Sequence, residues 1–146
     1  MPPIELITRA VICQGNKFLL AHRKGESNTF LPGGHMDPGE YAEESLRREL
    51  HEELGLESTV VRFVGILEHK FTDGHGKEYE EINLIFEVEI ETETPASIEG
   101  HLEFTWSNPD EFKERNLLPS SLPGLLEEWK RTRIPFHHAQ NDPSSH

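Results

Sequence analysis

Between Gly34 and Leu56 the chain passes through a glycine turn, an acid-rich helical pattern and a second glycine turn, and no other stretch restricts the possible folds as tightly. Ala42, Leu46, Leu50 and Leu54 repeat every four residues, which gives a helix one apolar stripe to lay on a sheet. The spacing predicts a helix from about Gly39 or Glu40 to Leu54, with Asp37-Pro38 at its start and Gly55 as a left-handed C-cap. Just upstream, Thr29-Phe30-Leu31 reads as a short extended piece ending at Pro32-Gly33-Gly34. Two residues without a Cβ there permit positive φ and a close approach of backbone to ligand.

The flanking segments read as strands. Leu6 to Cys13 and Phe18 to His22 are rich in aliphatics, and Gly15-Asn16 between them is a turn signal, so they are expected to pair as a hairpin. Ser58 to Glu68 is the next strand candidate, followed by the polar tip Asp73-Gly74-His75-Gly76. Beyond it Ile82, Leu84, Phe86, Val88 and Ile90 alternate with Glu81, Asn83, Ile85, Glu87 and Glu89. Leu102, Phe104 and Trp106 alternate again, and Ser107-Asn108-Pro109-Asp110 signals the start of a short helix reaching about Arg115. Leu122, Leu125, Leu126 and Trp129 mark a final amphipathic helix whose stripe belongs in a core. Residues 1–134 are expected to form one domain of mixed α/β sandwich type, and residues 135–146, which lack any apolar period, a disordered tail.

Charge narrows the function. Fourteen Lys and Arg face 27 Asp and Glu in 146 residues, a formal charge of -13, so the overall field repels long nucleic acids and anionic lipid. A small polyanionic substrate would be repelled too, unless cations were held where the carboxylates cluster. Glu49, Glu52 and Glu53, at i, i+3 and i+4, project from one helix face and repel one another. Oxygen-only anionic ligands of this kind suit Mg²⁺ or Mn²⁺, and such ions can bridge a diphosphate and lower the pKa of an attacking water. The expected reaction is hydrolysis of a phosphoanhydride bond. Cys13, alone and in a strand, reads as a buried structural thiol. Neither a signal-peptide pattern nor an 18-residue apolar run is present, and a reducing cytoplasmic setting is expected.

Gly34, Glu40, Arg48, Glu49, Leu50, Glu52, Glu53, Gly55 and Leu56 fill every fixed place of the Nudix box, which this segment therefore resembles. At ordinary residue frequencies nine such matches arise by accident with a probability on the order of 10⁻⁷. The resemblance implies an α+β fold, a mixed-sheet α/β/α sandwich, and a hydrolase acting on nucleoside diphosphate derivatives. It implies Glu49, Glu52 and Glu53 as metal ligands, joined by the backbone carbonyl of Gly33 or Gly34. Glu49 and Glu53 are alternative choices for the group that orients or deprotonates water, and some family members use a carboxylate outside the box. Arg48 can reach Glu52 or Glu44, and we read it with Glu40 as orienting the ligating carboxylates. Glu99, His101 and Glu103 share a strand face, in a region where the family often places an extra metal-binding or basic carboxylate, with Glu103 preferred. Arg9 and Arg23 are candidates to bind phosphate or stack on a base, and Phe30 to line the pocket. His137, His138 and His146 match no metal spacing and are expected to be solvated.

Within the family, secondary signatures for ADP-ribose, dinucleoside polyphosphates and NADH are missing, which favours a nucleoside triphosphate or modified nucleotide cleaved to a monophosphate and pyrophosphate. ADP-ribose and sugar nucleotides are the alternative substrates, and a noncatalytic nucleotide sensor is the alternative of another class. The partner is a small nucleotide, with neither long nucleic acid nor membrane expected; a homodimer is left open.

Overall fold

The computed structural model describes residues 1–142. Along the chain come β1 (Ile4–Val11), β2 (Cys13–Gln14), β3 (Lys17–Arg23), β4 (Thr29–Phe30), β5 (Gly33–His35), α1 (Ala42–Leu54), β6 (Ser58–Thr72), β7 (Glu78–Ile90) and β8 (Leu102–Ser107). A single 3₁₀ turn (Pro109–Glu111), α2 (Leu122–Thr132) and β9 (Phe136–Asp142) follow. A five-stranded mixed sheet runs β5-β1-β7-β6-β9, and in a second sheet β3 pairs with β2, β4 and β8.

The two helices cover opposite faces, and the reason is visible in adjacent residues. Ala10 and Ile12 pack with Leu46, Leu50 and Leu54 of α1, whereas Val11 between them packs with Leu122, Leu126 and Trp129 of α2. The period of two in a strand sends neighbours to opposite sides, so a strand apolar on both faces must be covered twice. Each fully buried leucine contributes about 1.5–3 kcal/mol relative to exposure. The fold is thus the expected α+β sandwich.

Helix α1 begins slightly later than its spacing suggests. Its first turn is shaped by side chains reaching back, with the Asp37 N–H donating to Glu40 Oε1 (2.7 Å) and the Tyr41 N–H to Glu44 Oε1 (3.3 Å). Gly55 ends it in the left-handed region at φ 67°, as a C-cap requires.

Three expectations need correction. The first hairpin does not form as a pair of long strands: β1 runs parallel to β7, from Ile4 opposite Glu80 to Val11 opposite Glu87, and only Cys13–Gln14 turns back onto Lys17 and Phe18. A strand buried on both sides belongs inside a sheet, and the central place beside β7 supplies that. The short helix expected up to Arg115 is one 3₁₀ turn. Most of the expected disordered tail is ordered as β9, parallel to β6 from Gly65 opposite Phe136 to Phe71 opposite Asp142. Main-chain hydrogen bonds to an open sheet edge need no apolar period, and Phe136 anchors the strand by packing on the α2 core. His137 on this strand is exposed beside Glu68, His138 is half-buried, and His146 lies outside the described residues. No helix among the described residues is long and apolar enough to cross a membrane.

Candidate active site

A cleft of about 640 Å³ opens where the N-terminal end of β5, the acidic face of α1, the β6–β7 hairpin and the loop before β8 meet. Burying Leu46, Leu50 and Leu54 fixes the rotation of α1, and that rotation aims Glu49 and Glu53 into the cleft. Glu53 is 5% exposed, and among the described residues its Oε1 has no hydrogen-bond partner. Burial, and then the charge of Glu49, push its carboxyl up to about 8, against the opposing pull of Arg9 and a hydrogen bond from the Gly33 backbone. Glu49 is also raised by burial, and Arg48 works against that rise.

Arg48 is the organiser of this face. Its Nε and one terminal nitrogen grip Glu40 at 2.7 and 3.0 Å, and the same terminal nitrogen donates to the His35 carbonyl at 3.0 Å. The other terminal nitrogen donates to Glu49 Oε1 (3.1 Å) and to Glu52 (3.2 Å). The fork holds Glu40 near a pKa of about 2, and the hydrogen bonds raise that of Arg48 itself. The expectation that Arg48 and Glu40 orient the acidic residues thus has a geometric basis. Arg48 hydrogen-bonds Glu52, whereas Glu44 is not among the acids it pairs with in the described residues.

Glycine is required on the opposite wall. Gly33 sits at φ 141°, where an added Cβ would lie 2.0 Å from the Thr8 carbonyl oxygen, and one on Gly34 would lie 2.5 Å from the Glu49 carboxylate.

Arg9 lines the cleft within the electrostatic reach of the two acids and donates to the Leu31 carbonyl at 3.1 Å. Burial lowers its pKa, and the attraction of Glu81, Glu53 and Glu49 counters that. The Arg9 and Arg23 guanidiniums stand 5.5 and 5.7 Å from the centre of the Phe30 ring, so all three expected substrate-contact residues share one wall of the cleft. Glu103 does not join them: it is exposed and pairs with His22 at 3.3 Å. Glu99 lines the cleft instead, close enough for its charge to raise both Glu49 and Glu53. Its loop is hooked to the end of α1 by the Ile98 N–H donating to the Glu53 carbonyl at 2.9 Å, and His101 contacts its carboxylate at 3.2 Å.

Among the described residues no three His, Cys, Asp or Glu side chains are gathered as a finished metal cage, since Glu52 is half-exposed and turned to Arg48. The donor chemistry nevertheless fits a hard divalent cation. Glu49 and Glu53 offer oxygen alone, the charge of Glu49 adds to the cost of ionising Glu53, and among the described residues Glu53 Oε1 has no hydrogen-bond partner.

The strand alternation missed one part of the cleft. His69 and Phe71 of β6, with Tyr79, Glu81 and Asn83 of β7, line its far end. Their period of two, on the face opposite Ile82, Leu84 and Phe86, is a signal that could have found them.

The NUDIX domain model matches residues 5–128 of the chain. The chain is 29% identical over 139 residues to the CTP pyrophosphohydrolase of Escherichia coli (strain K12), covering 91% of this chain and 96% of that protein. Among solved structures it is similar to a NUDIX hydrolase from Nitrosomonas europaea, with a TM-score of 0.72 and 16% identity over 97% of this chain and 80% of that one. It is likewise similar to the MutT protein from Methanosarcina mazei Go1, with a TM-score of 0.72 and 22% identity over 90% of this chain and 96% of that one.

Proposed function

The chain belongs to the NUDIX domain family and is a pyrophosphohydrolase, and on that premise we propose that it cleaves a nucleoside triphosphate to the monophosphate and pyrophosphate with a divalent cation bound. The observation that carries this reading is the buried Glu53 carboxylate, with one oxygen unpartnered among the described residues, lining a nucleotide-sized cleft together with Glu49. The likeness to a CTP pyrophosphohydrolase over nearly the whole of both chains supports a triphosphate as substrate.

Glu49 and Glu53 would hold Mg²⁺ or Mn²⁺, with Glu52 and the carbonyl of Gly33 or Gly34 as the remaining candidate donors. When bound, such an ion neutralises phosphate charge and makes water more acidic. Arg48 donates to Glu49 Oε1 and opposes the rise that burial imposes on its carboxyl. Arg9 and Arg23 supply positive charge on the Phe30 wall, where the phosphates would lie. The proton acceptor is Glu99, which faces Glu49 and Glu53 without being tied to Arg48. The water oxygen bonds to phosphorus, its proton passes to Glu99, and the bridging P–O bond breaks with its electron pair leaving on pyrophosphate.

Release of phosphate or pyrophosphate from nucleoside triphosphates, oxidised nucleotides, ADP-ribose, sugar nucleotides and dinucleoside polyphosphates tests the proposal, each assayed with Mg²⁺, Mn²⁺ or EDTA. Metal-dependent pyrophosphate release from a triphosphate is expected. Turnover of ADP-ribose or sugar nucleotides alone would move the substrate class, and binding without consumption across the panel would make the protein a sensor.

A further inference from the structure

We propose that strand β9 is part of the substrate site, with Asp142 acting as a positioning residue that holds the His69 imidazole against the nucleoside end of the cleft. This rests on the reading of the cleft as a nucleotide site and adds to it a residue outside the matched family span, which ends at residue 128.

The far end of the cleft is built from register partners on the β6–β7 hairpin: Leu67 opposite Asn83, His69 opposite Glu81, and Phe71 opposite Tyr79. Residues two apart on a strand share a face, so these side chains form one surface. The rings on it are stacked, His69 on Phe71 at 4.6 Å between centroids and Phe71 on Tyr79 at 4.7 Å, with interplanar angles of 25° and 8°. Glu81 and Asn83 add polar groups beside the stack. Because the rings are stacked face to face, the row turns ring edges toward the cleft. An apolar wall bordered by Glu81 and Asn83 suits the edge of a base with donors and acceptors around its rim.

His69 is 3% exposed, and its orientation is set from outside the hairpin. Asp142 Oδ2 lies 2.8 Å from Nε2, so the carboxylate accepts from an Nε2–H and fixes the ring's rotation. The same oxygen accepts from the Gln140 amide at 2.7 Å, and that amide also donates to Ser120 Oγ at 2.8 Å. Ser120 follows Leu118 and Pro119, which line the facing wall of the cleft. One chain of hydrogen bonds therefore runs from that wall through β9 to the floor. The parallel register with Phe71 opposite Asp142 is what brings the carboxylate to His69.

Two measurements on the full chain test this: calorimetric binding of CMP, UMP, AMP and GMP in EDTA, and KM and kcat for the corresponding triphosphates with Mg²⁺. Asp142→Ala should raise Kd for the preferred monophosphate, and KM for its triphosphate, about tenfold, with kcat much less affected. Asp142→Asn keeps an oxygen that can accept from Nε2–H and should restore both values. His69→Gln, which removes the ring, should weaken binding at least as much as Asp142→Ala. Wild-type Kd in Asp142→Ala or in His69→Gln, an equal loss in the Asn and Ala variants, or no monophosphate bound by the wild type would each overturn the proposal. Failure of the hydrolase reading shows differently, as monophosphate binding without turnover of any triphosphate.

Discussion

A Cβ added to Gly34 would lie 2.5 Å from both the carboxyl carbon and Oε2 of Glu49. Backbone and acid are thus in contact, and the side chain of Glu49 has its place only because residue 34 has none. Gly34→Ala should push the carboxylate out of the cleft and cut kcat by about 10- to 100-fold. The overpacking should cost about 1–3 kcal/mol, small enough to leave the fold intact. Steady-state kinetics alongside thermal unfolding would separate the two effects, and an alanine variant with wild-type kcat would mean that Glu49 need not stand there.

The role proposed for Glu53 has a consequence for stability. Its folded-state pKa, about 8, exceeds the ordinary 4.5, so between those values the native chain binds a proton that the unfolded chain has released. Without metal, stability should therefore be highest below about pH 4.5 as far as this residue is concerned, and fall as pH rises to about 8, by an amount on the order of a few kcal/mol. Glu53→Gln removes the titration. In EDTA it should unfold at a higher temperature than the wild type at pH 8, with little difference at pH 5, while turnover drops by about 10²- to 10⁴-fold. Mg²⁺ should raise the wild-type unfolding temperature more at pH 8 than at pH 5, and do much less for the glutamine variant. Melting curves in EDTA that do not change with pH would show that Glu53 is not buried as an unpaired acid.

Arg48 touches four acidic side chains, Asp37, Glu40, Glu49 and Glu52, and the planar fork on Glu40 is the geometry that a lysine cannot copy. Arg48→Lys should keep the positive charge but lose about 10- to 100-fold in kcat or in metal affinity. A titration of activity against Mg²⁺ concentration would show which. Full activity in the lysine variant would reduce the role of Arg48 to charge alone.

Local spacing carried the readings that succeeded. The four-residue apolar repeat of α1 required both a buried face and an acidic one, and Gly55 could end that helix at positive φ more easily than any other residue. The readings that failed depended on long-range pairing. Leu6 to Val11 looks like half of a hairpin until β7, more than seventy residues later, supplies a better partner. The different positions of Glu99 and Glu103 turn on where the strand begins: β8 starts at Leu102, leaving Glu99 on a loop that lines the cleft and Glu103 on the exposed side against His22. Strand β9 left no periodic mark because an edge position is recognised by main-chain groups, which every residue carries.

Trp129 tests the second core. It is 1% exposed, among Phe18, Phe112 and Leu126, with Arg133 stacked 4.6 Å from its ring and a buried Nε1 that lacks a partner among the described residues. Trp129→Ala should lower stability by about 3–5 kcal/mol in denaturant unfolding. Trp129→Phe, which removes the unpartnered N–H while keeping most of the volume, should cost less than about 1.5 kcal/mol. Equal losses in the two variants would place the stabilising contacts at the part of the indole that phenylalanine lacks, where Arg133 stacks and the core closes around the second ring.

Gly65 decides whether β9 can dock. A Cβ there would come within 2.7 Å of both the Phe136 ring and its carbonyl oxygen, and Phe136 is the apolar anchor of the strand. Gly65→Ala must therefore displace Phe136 or shift β9 along β6, and a shift by one residue would reverse the faces its side chains occupy. Amide hydrogen exchange over residues 136–142 should accelerate markedly, with α1 still protected. Because Asp142 reaches His69 only in the present register, the same variant should weaken monophosphate binding along with the loss of protection. Unchanged exchange over β9 would mean that the strand does not hold this register in solution, and unchanged binding despite faster exchange would detach β9 from the substrate site.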